Sequence, residues 1–201
     1  MADEEVRSRR RDAAATRQAI LDSARDAFAR RGYDGVGVRE IAAGAGVTAM
    51  LVNRYFGSKE QLFLEVVVGA MNSPEVLRPE LIERKDVPRA LAEALVRRTG
   101  YGDPAPEGLL ILLRALSNPV ATRTAREQIE RHHHRQVAEV MDGPHAPERA
   151  ALVLSTVVGF QVMRQMYGLG ALADADPEVL ADLLTAQLEQ LFSQGSEDSQ
   201  G

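Results

Sequence analysis

Along the first seventy positions apolar residues recur at helical spacing. From Thr16 to Arg31 the set Ile20, Leu21, Ala24, Ala27 and Phe28 shares one face, and Gly32 ends the run. Val38, Ile41, Ala42 and Ala45 repeat at i, i+3, i+4 and i+7 between Gly37 and the pair Gly44 and Gly46, which predicts a short second helix. Thr48 can cap a third, in which Val52 and Phe56 point to one side while Ala49, Met50, Asn53 and Arg54 make a second face. Ser58 followed by Gln61 has capping-box spacing, and Leu62, Phe63, Val66, Val67 and Ala70 carry a fourth helix to a stop at Asn72-Ser73-Pro74.

Beyond Pro74 the same periodicity predicts a short helix near 75–84 and longer ones over 88–99, 107–117, 119–141, 147–172 and 177–193. Gly100-Tyr101-Gly102-Asp103-Pro104 and Asp142-Gly143-Pro144 read as loops, and Asn118-Pro119 and Asp176-Pro177 as helix starts with proline at the first position. No six positions alternate convincingly between apolar and polar, so the fold class is all-α. Residues 1–12 are charged and lack periodicity, predicting a flexible basic arm, and 194–201 predict a disordered tail.

The chain has 201 residues, enough for about one to two domains without disulfide or metal staples. It contains no cysteine, which excludes disulfides, thiolate metal sites and cysteine nucleophiles. It has no tryptophan and few other aromatics, which argues against an aromatic-rich sugar or lipid binder. No apolar run approaches the roughly 18 residues of a membrane span, and Met1 to Arg11 has no apolar segment behind its charges; the expected location is cytoplasmic. The net charge of −5 hides an asymmetry. Residues 6–59 hold eleven Lys and Arg against five Asp and Glu, whereas 60–201 hold thirteen against twenty-one. A basic front end on an acidic body attracts an anionic partner locally.

Two short helices joined by a glycine-containing turn, the second with a small polar outer face, suit the major groove of B-DNA. Val36 to Phe56 has that pattern, and many purely structural helical hairpins share it. The segment GYDGVGVREIAAGAGVTAMLVNRYFGSKEQLF, Gly32 to Phe63, resembles the DNA-binding segment of TetR-family transcriptional regulators. The specific part is Arg39-Glu40-Ile41-Ala42, then Ala45-Gly46-Val47-Thr48, then Tyr55-Phe56-Gly57-Ser58-Lys59-Glu60.

The resemblance implies a helix-turn-helix domain over 13–59, a connecting helix over 60–73 and a helical ligand-binding and dimerisation domain over 74–193. It implies a homodimer, working without a metal or organic cofactor, that binds a palindromic double-stranded DNA operator and is released from it by a small-molecule effector. Arg39, Thr48, Ala49, Met50, Asn53, Arg54, Tyr55 and Lys59 match family DNA-contacting positions. Among them Asn53 and Arg54 are best equipped to read base edges, and the Thr48 and Tyr55 hydroxyls and Lys59 to meet phosphate. Leu51, Asn53 and Gly37 depart from the threonine, tyrosine and Ser or Thr usual there. The other function classes weighed are a nonspecific architectural DNA binder and a small helical enzyme.

Consecutive His132, His133 and His134 fan out by about 100° each on a helix and cannot converge on one metal ion. Gly35-x-Gly37 and Gly57-Ser58-Lys59 lack the order of phosphate-binding loops, and Ser155 lacks a nucleophile-elbow pattern. No catalytic residue, metal site or cofactor is expected. In 147–172, Gln161, Arg164 and Gln165 lie among Val157, Phe160, Val162, Met163 and Met166; the solvent-facing reading is preferred for the two glutamines. Tyr101, His133, Phe160, Met163, Arg164 and Tyr167 are the ligand-binding candidates, suited to a largely apolar effector with an acidic or carbonyl group near Arg164. Leu180, Leu184, Leu188 and Leu191 lie on a stripe wide enough to serve a partner helix and are the dimerisation candidates.

Overall fold

The computed structural model describes residues 2–71, 80 and 86–193. Among them the elements are helices α1 (Ala2–Arg31), α2 (Val38–Gly44), α3 (Ala49–Phe56), α4 (Lys59–Met71), α5 (Val87–Arg98), α6 (Glu107–Ala115) and α7 (Pro119–Ile129). A π-helical turn over Glu130–His134, α8 (Arg135–Ala138) and α9 (Ala146–Gln161) follow. A second π-helical turn over Val162–Met166, α10 (Gly170–Ala173) and α11 (Pro177–Ser193) complete the order. The expected all-α class is observed. The helix expected near 75–84 and the tail at 194–201 lie outside the described residues.

The described chain divides into two compact units. The first holds α1–α4, α6 and α7 as far as Gln128. Its core is built by Ile20, Ala24 and Phe28 of α1, Ile41 of α2, Val52 and Phe56 of α3, and Leu62, Phe63, Val66 and Val67 of α4. Phe28 and Phe63 meet edge to face with centroids 5.1 Å apart, and Tyr33 packs against Phe63 at the same separation. Residues 107–128, expected with the second domain, instead pack here: the Asn118 amide donates to Asp34 Oδ1 at 2.8 Å, and Gly108 leaves room only for a close approach to Ala70. Small residues on both sides let α6 settle against α4.

The segment read as a flexible arm belongs to α1. Ala13, Ala14 and Ala15 are strong helix formers, and the Thr16 hydroxyl donates back to Asp12 O at 2.8 Å, so the helix runs on ahead of its apolar stripe. Propensity, without periodicity, carries these turns.

The second unit holds α5, the first π turn, α8, α9, the second π turn, α10 and α11. Leu91 and Leu95 of α5, Val153 and Val157 of α9, and Leu184 and Leu188 of α11 share its apolar core. Helix 119–141 was expected unbroken; its π turn widens the ladder by one residue. The expected 147–172 helix ends at Gly168, whose φ of +62° sends the chain out of the helix, and Leu169 N donates to Met163 O at 3.0 Å to close the end. The ring of Tyr101 lies where a side chain at residue 168 would be, a second reason for glycine there. Asn118 caps α7 through Oδ1 bonds from Val120 N (2.9 Å) and Ala121 N (3.0 Å), and Asp176 caps α11 from Glu178 N (2.7 Å), as their sequence positions predict.

Candidate functional site

In the first unit α2 and α3 are joined by a short corner, residues 45–48, with defined hydrogen bonding. Gly46 N donates to Ala43 O at 3.1 Å and Val47 N to Ala42 O at 2.9 Å, with Gly46 at φ +67°. This is a Schellman closure, and it reverses the chain within one turn. At Gly44 a β-carbon would collide with Ser23 Oγ, which itself donates to Ile41 O at 2.9 Å, so α2 lies close upon α1. Thr48 then caps α3, its Oγ1 accepting from Leu51 N at 3.3 Å. A hydroxyl that accepts at a cap keeps its proton for an outside acceptor.

Val52 and Phe56 anchor α3 in the core, which fixes the opposite face outward. Met50 is 79% exposed, and Asn53, Arg54, Thr48 and, on α2, Arg39 are exposed too. Ala49, Tyr55 and Lys59 are half-buried. Short side chains beside an amide and a guanidinium on one two-turn helix make a surface narrow enough for a groove. Arg17 of α1, which sequence reasoning did not single out, pairs with Glu65 and lies 4.9 Å from the centroid of Phe56, tying α1, α3 and α4 together.

Ser58 caps α4 by accepting from Gln61 N at 3.1 Å, and Lys59 is the first residue of that helix. Its ammonium sits 4.3 Å from the Tyr33 ring centroid. Burial pushes the Lys59 ammonium below its ordinary range, and the Asp34 carboxylate opposes that shift. Burial, with the carboxylates of Glu60 and Asp34, raises the Tyr33 phenol. Glu60 in turn pairs with Arg123 at 3.3 Å. Tyr33 carried no signal beyond being an aromatic after a glycine, so its role as the platform for Lys59 was not legible.

In the second unit the six ligand-binding candidates do not converge. Phe160 and Arg164 are buried, His133 is half-buried, and Tyr101, Met163 and Tyr167 are exposed. The Arg164 guanidinium donates from Nη1 to Val96 O at 2.6 Å and from Nε to Leu172 O at 3.0 Å, with Thr99 Oγ1 at 3.5 Å from Nη1. It also lies 5.8 Å from the Phe160 centroid. Burial lowers its pKa from the ordinary value, and Asp103 opposes this. Arg164 therefore clasps the ends of two helical segments rather than presenting its charge outward. His134 Nε2 lies 2.8 Å from Pro147 O, a bond within the scaffold.

Gln161 and Gln165, expected to face solvent, are buried. Their spacing is the reason: Val157, Phe160, Gln161, Arg164 and Gln165 fall at i, i+3, i+4, i+7 and i+8, one inward face, while Met163 and Met166 lie on the other side.

The dimerisation candidates are also corrected. Leu180, Leu184 and Leu188 fill the unit's own core, Leu188 with no exposure at all, and Leu191 packs against that core. On α9 and α11 the large apolar side chains left outside include Leu152 and Val158 of α9 and Val179 and Leu183 of α11, the last 64% exposed. A wide apolar stripe on one helix does not reveal which of its edges faces inward; the structure turns Leu183 and Val179 out. Gln187 Nε2 donates to Thr156 Oγ1 at 3.3 Å, which places α11 beside α9 along this surface.

Comparison with known proteins places this geometry in a family. Residues 20–66 match the bacterial regulatory proteins of the tetR family, and 85–192 match the tetracyclin repressor-like C-terminal domain. The HTH-type transcriptional regulator BetI of Agrobacterium fabrum is 33% identical over 84 residues, 42% of this chain and 34% of that protein, so the match spans about a third of the relative's length. The structure of a TetR-family regulator from Streptomyces coelicolor superposes with a TM-score of 0.57 at 25% identity, covering 89% of this chain and 95% of that one. The multidrug binding protein EbrR, solved with imidazole, shares the fold with a TM-score of 0.60 at 23% identity, over 88% of this chain and 94% of that one. Among the described residues no helix is long and apolar enough to cross a membrane. The helix-turn-helix with its capped, outward-facing α3 and the helical second unit belong together: this chain is a member of the TetR family of transcriptional regulators.

Proposed function

We propose that the protein is a cytoplasmic, ligand-responsive repressor that binds a palindromic operator as a homodimer. The observation that carries the reading is the outward face of α3, where Met50, Asn53 and Arg54 are exposed together while Val52 and Phe56 hold the helix in the core. Asn53 matches the edge of adenine and Arg54 that of guanine; each bidentate contact discriminates by about 1–3 kcal/mol. Ala49 and Met50 offer apolar contact to a thymine methyl. Thr48, Tyr55 and Lys59 are phosphate anchors that set the register without reading sequence, and Arg39 adds charge from α2.

Dimerisation uses Leu152 and Val158 of α9 with Val179 and Leu183 of α11, whose exposed apolar surface has a cost in water that pairing across a two-fold axis removes. A two-fold dimer places the same helix at both half-sites, which is why its operator is palindromic. The second domain binds the effector; that EbrR is described as a multidrug binding protein supports a small molecule in this role. Release requires that the effector prefer the conformation with lower DNA affinity.

Selection of bound sequences from a random pool of duplex DNA tests the reading. The expected result is an inverted repeat with half-site centres about 10 base pairs apart or a multiple of that. Recovery of unrelated sequences with equal affinity contradicts it and leaves a nonspecific binder.

A further inference from the structure

We propose that Gln161 and Gln165 form the hydrogen-bonding edge of the effector site, and that the effector is a neutral, largely apolar molecule carrying an N–H or O–H donor rather than a carboxylate. The inference rests on the effector-responsive reading above and adds the chemistry of recognition.

Gln165 is only 5% exposed. Its Nε2 donates to Pro104 O at 3.0 Å and approaches Asp103 O at 3.4 Å. Both neighbours are carbonyl acceptors, so the amide nitrogen must lie on their side. Oε1 is thereby directed away from them, is buried, and has no hydrogen-bond partner among the described residues. A buried carbonyl oxygen without a donor destabilises the free protein, and a ligand that supplies the donor removes that defect. Gln161 lies four residues earlier, one helical turn away, and is 7% exposed. It makes no hydrogen bond among the described residues, so a second amide with free capacity stands one turn from Gln165.

The ligand's charge follows from Arg164. Its Nη1 is engaged by Val96 O and Thr99 Oγ1 and its Nε by Leu172 O, so a carboxylate could take two arms of the guanidinium fork only by displacing a backbone carbonyl from a helix end. A cation would meet the guanidinium's own positive charge next to Gln165 in the chain. The acid expected near Arg164 is replaced by a neutral donor at Gln165. Apolar surface is supplied by Phe160, which directly precedes Gln161 and lies 5.8 Å from the Arg164 guanidinium.

Three probes built on one benzoyl group separate these possibilities: benzamide, with amide donors; N,N-dimethylbenzamide, without them; and benzoate, with the charge. They are titrated by calorimetry into the full chain and into its Gln161→Met and Gln165→Met variants. Benzamide is expected to bind about tenfold more tightly than either other probe, the worth of one buried hydrogen bond. In either variant the preference should fall to about twofold or less. Gln161→Met loses no hydrogen bond of the free protein, so its melting temperature should be unchanged, which a merely structural role for this edge does not combine with loss of binding. Equal binding of the two amides, tighter binding of benzoate, a preference that survives in both variants, or no binding of any probe overturns the proposal. Operator binding is measured on the same samples. Sequence-specific DNA binding without the benzamide preference sinks this proposal alone, whereas loss of DNA specificity in the unmodified chain sinks the regulator reading whatever the probes do.

Discussion

Lys59 stands at the first position of α4 with its ammonium 4.3 Å from the ring centroid of Tyr33. The aromatic face orients a charge that would otherwise sweep through solvent, and free N–H groups of the helix start lie beside it, so an anion at this corner meets both. Lys59→Met should weaken binding to all DNA sequences alike and flatten the salt dependence by about one unit of slope per subunit. Arg54→Ala, from the exposed face of α3, should instead relax the preference at one symmetric base pair. Fluorescence anisotropy on operator variants over a salt series checks both; equal loss on every variant for both mutants would show that the division into base reader and phosphate anchor is wrong.

Arg164→Met leaves Val96 O and Leu172 O without the guanidinium that bridges them. Buried charge-assisted bonds of this kind put the expected loss at about 2–4 kcal/mol in urea denaturation. Arg164→Lys should recover little of it, since one ammonium cannot span acceptors arranged for a planar fork. A change under about 0.5 kcal/mol for Arg164→Met contradicts the clasp.

The two edges of α11 make opposite predictions. Leu188→Glu inserts an unpaired charge into a fully buried position and should unfold the second unit, seen as lost helical signal. Leu183→Glu charges an exposed position, so the chain should stay folded and sediment as a monomer. A folded Leu183→Glu dimer would place the interface elsewhere.

Thr48→Ala removes the cap of α3 and should cost about 1 kcal/mol of stability, measured by thermal unfolding. An unchanged melting temperature would mean that the bond to Leu51 N is idle in solution.

Local signals carried the first unit almost entirely. Gly46, Thr48 and Ser58 each do the backbone work their residue type implies, and the stripe Ile20, Ala24, Phe28 faces the core as its spacing requires. The second unit was legible as helices but not as surfaces. Polarity put Gln161 and Gln165 in solvent, although their spacing from Val157 and Phe160 is that of one inward face. Which side of α11 faces inward depends on where α5 and α9 lie, information that no single helix contains. The α1 extension failed for the converse reason: its first turns are charged residues running ahead of Ala13, Ala14 and Ala15, and a search for apolar stripes passes over both.

Hydroxyl-radical footprinting on a selected operator tests the central claim most directly, because it reports where each recognition helix lies on the duplex. The account predicts two protected patches related by a two-fold axis, their centres about 34–36 Å apart or a multiple of that, with one dimer bound per site. Uniform protection along the DNA, or a single patch filled by one subunit, would contradict it.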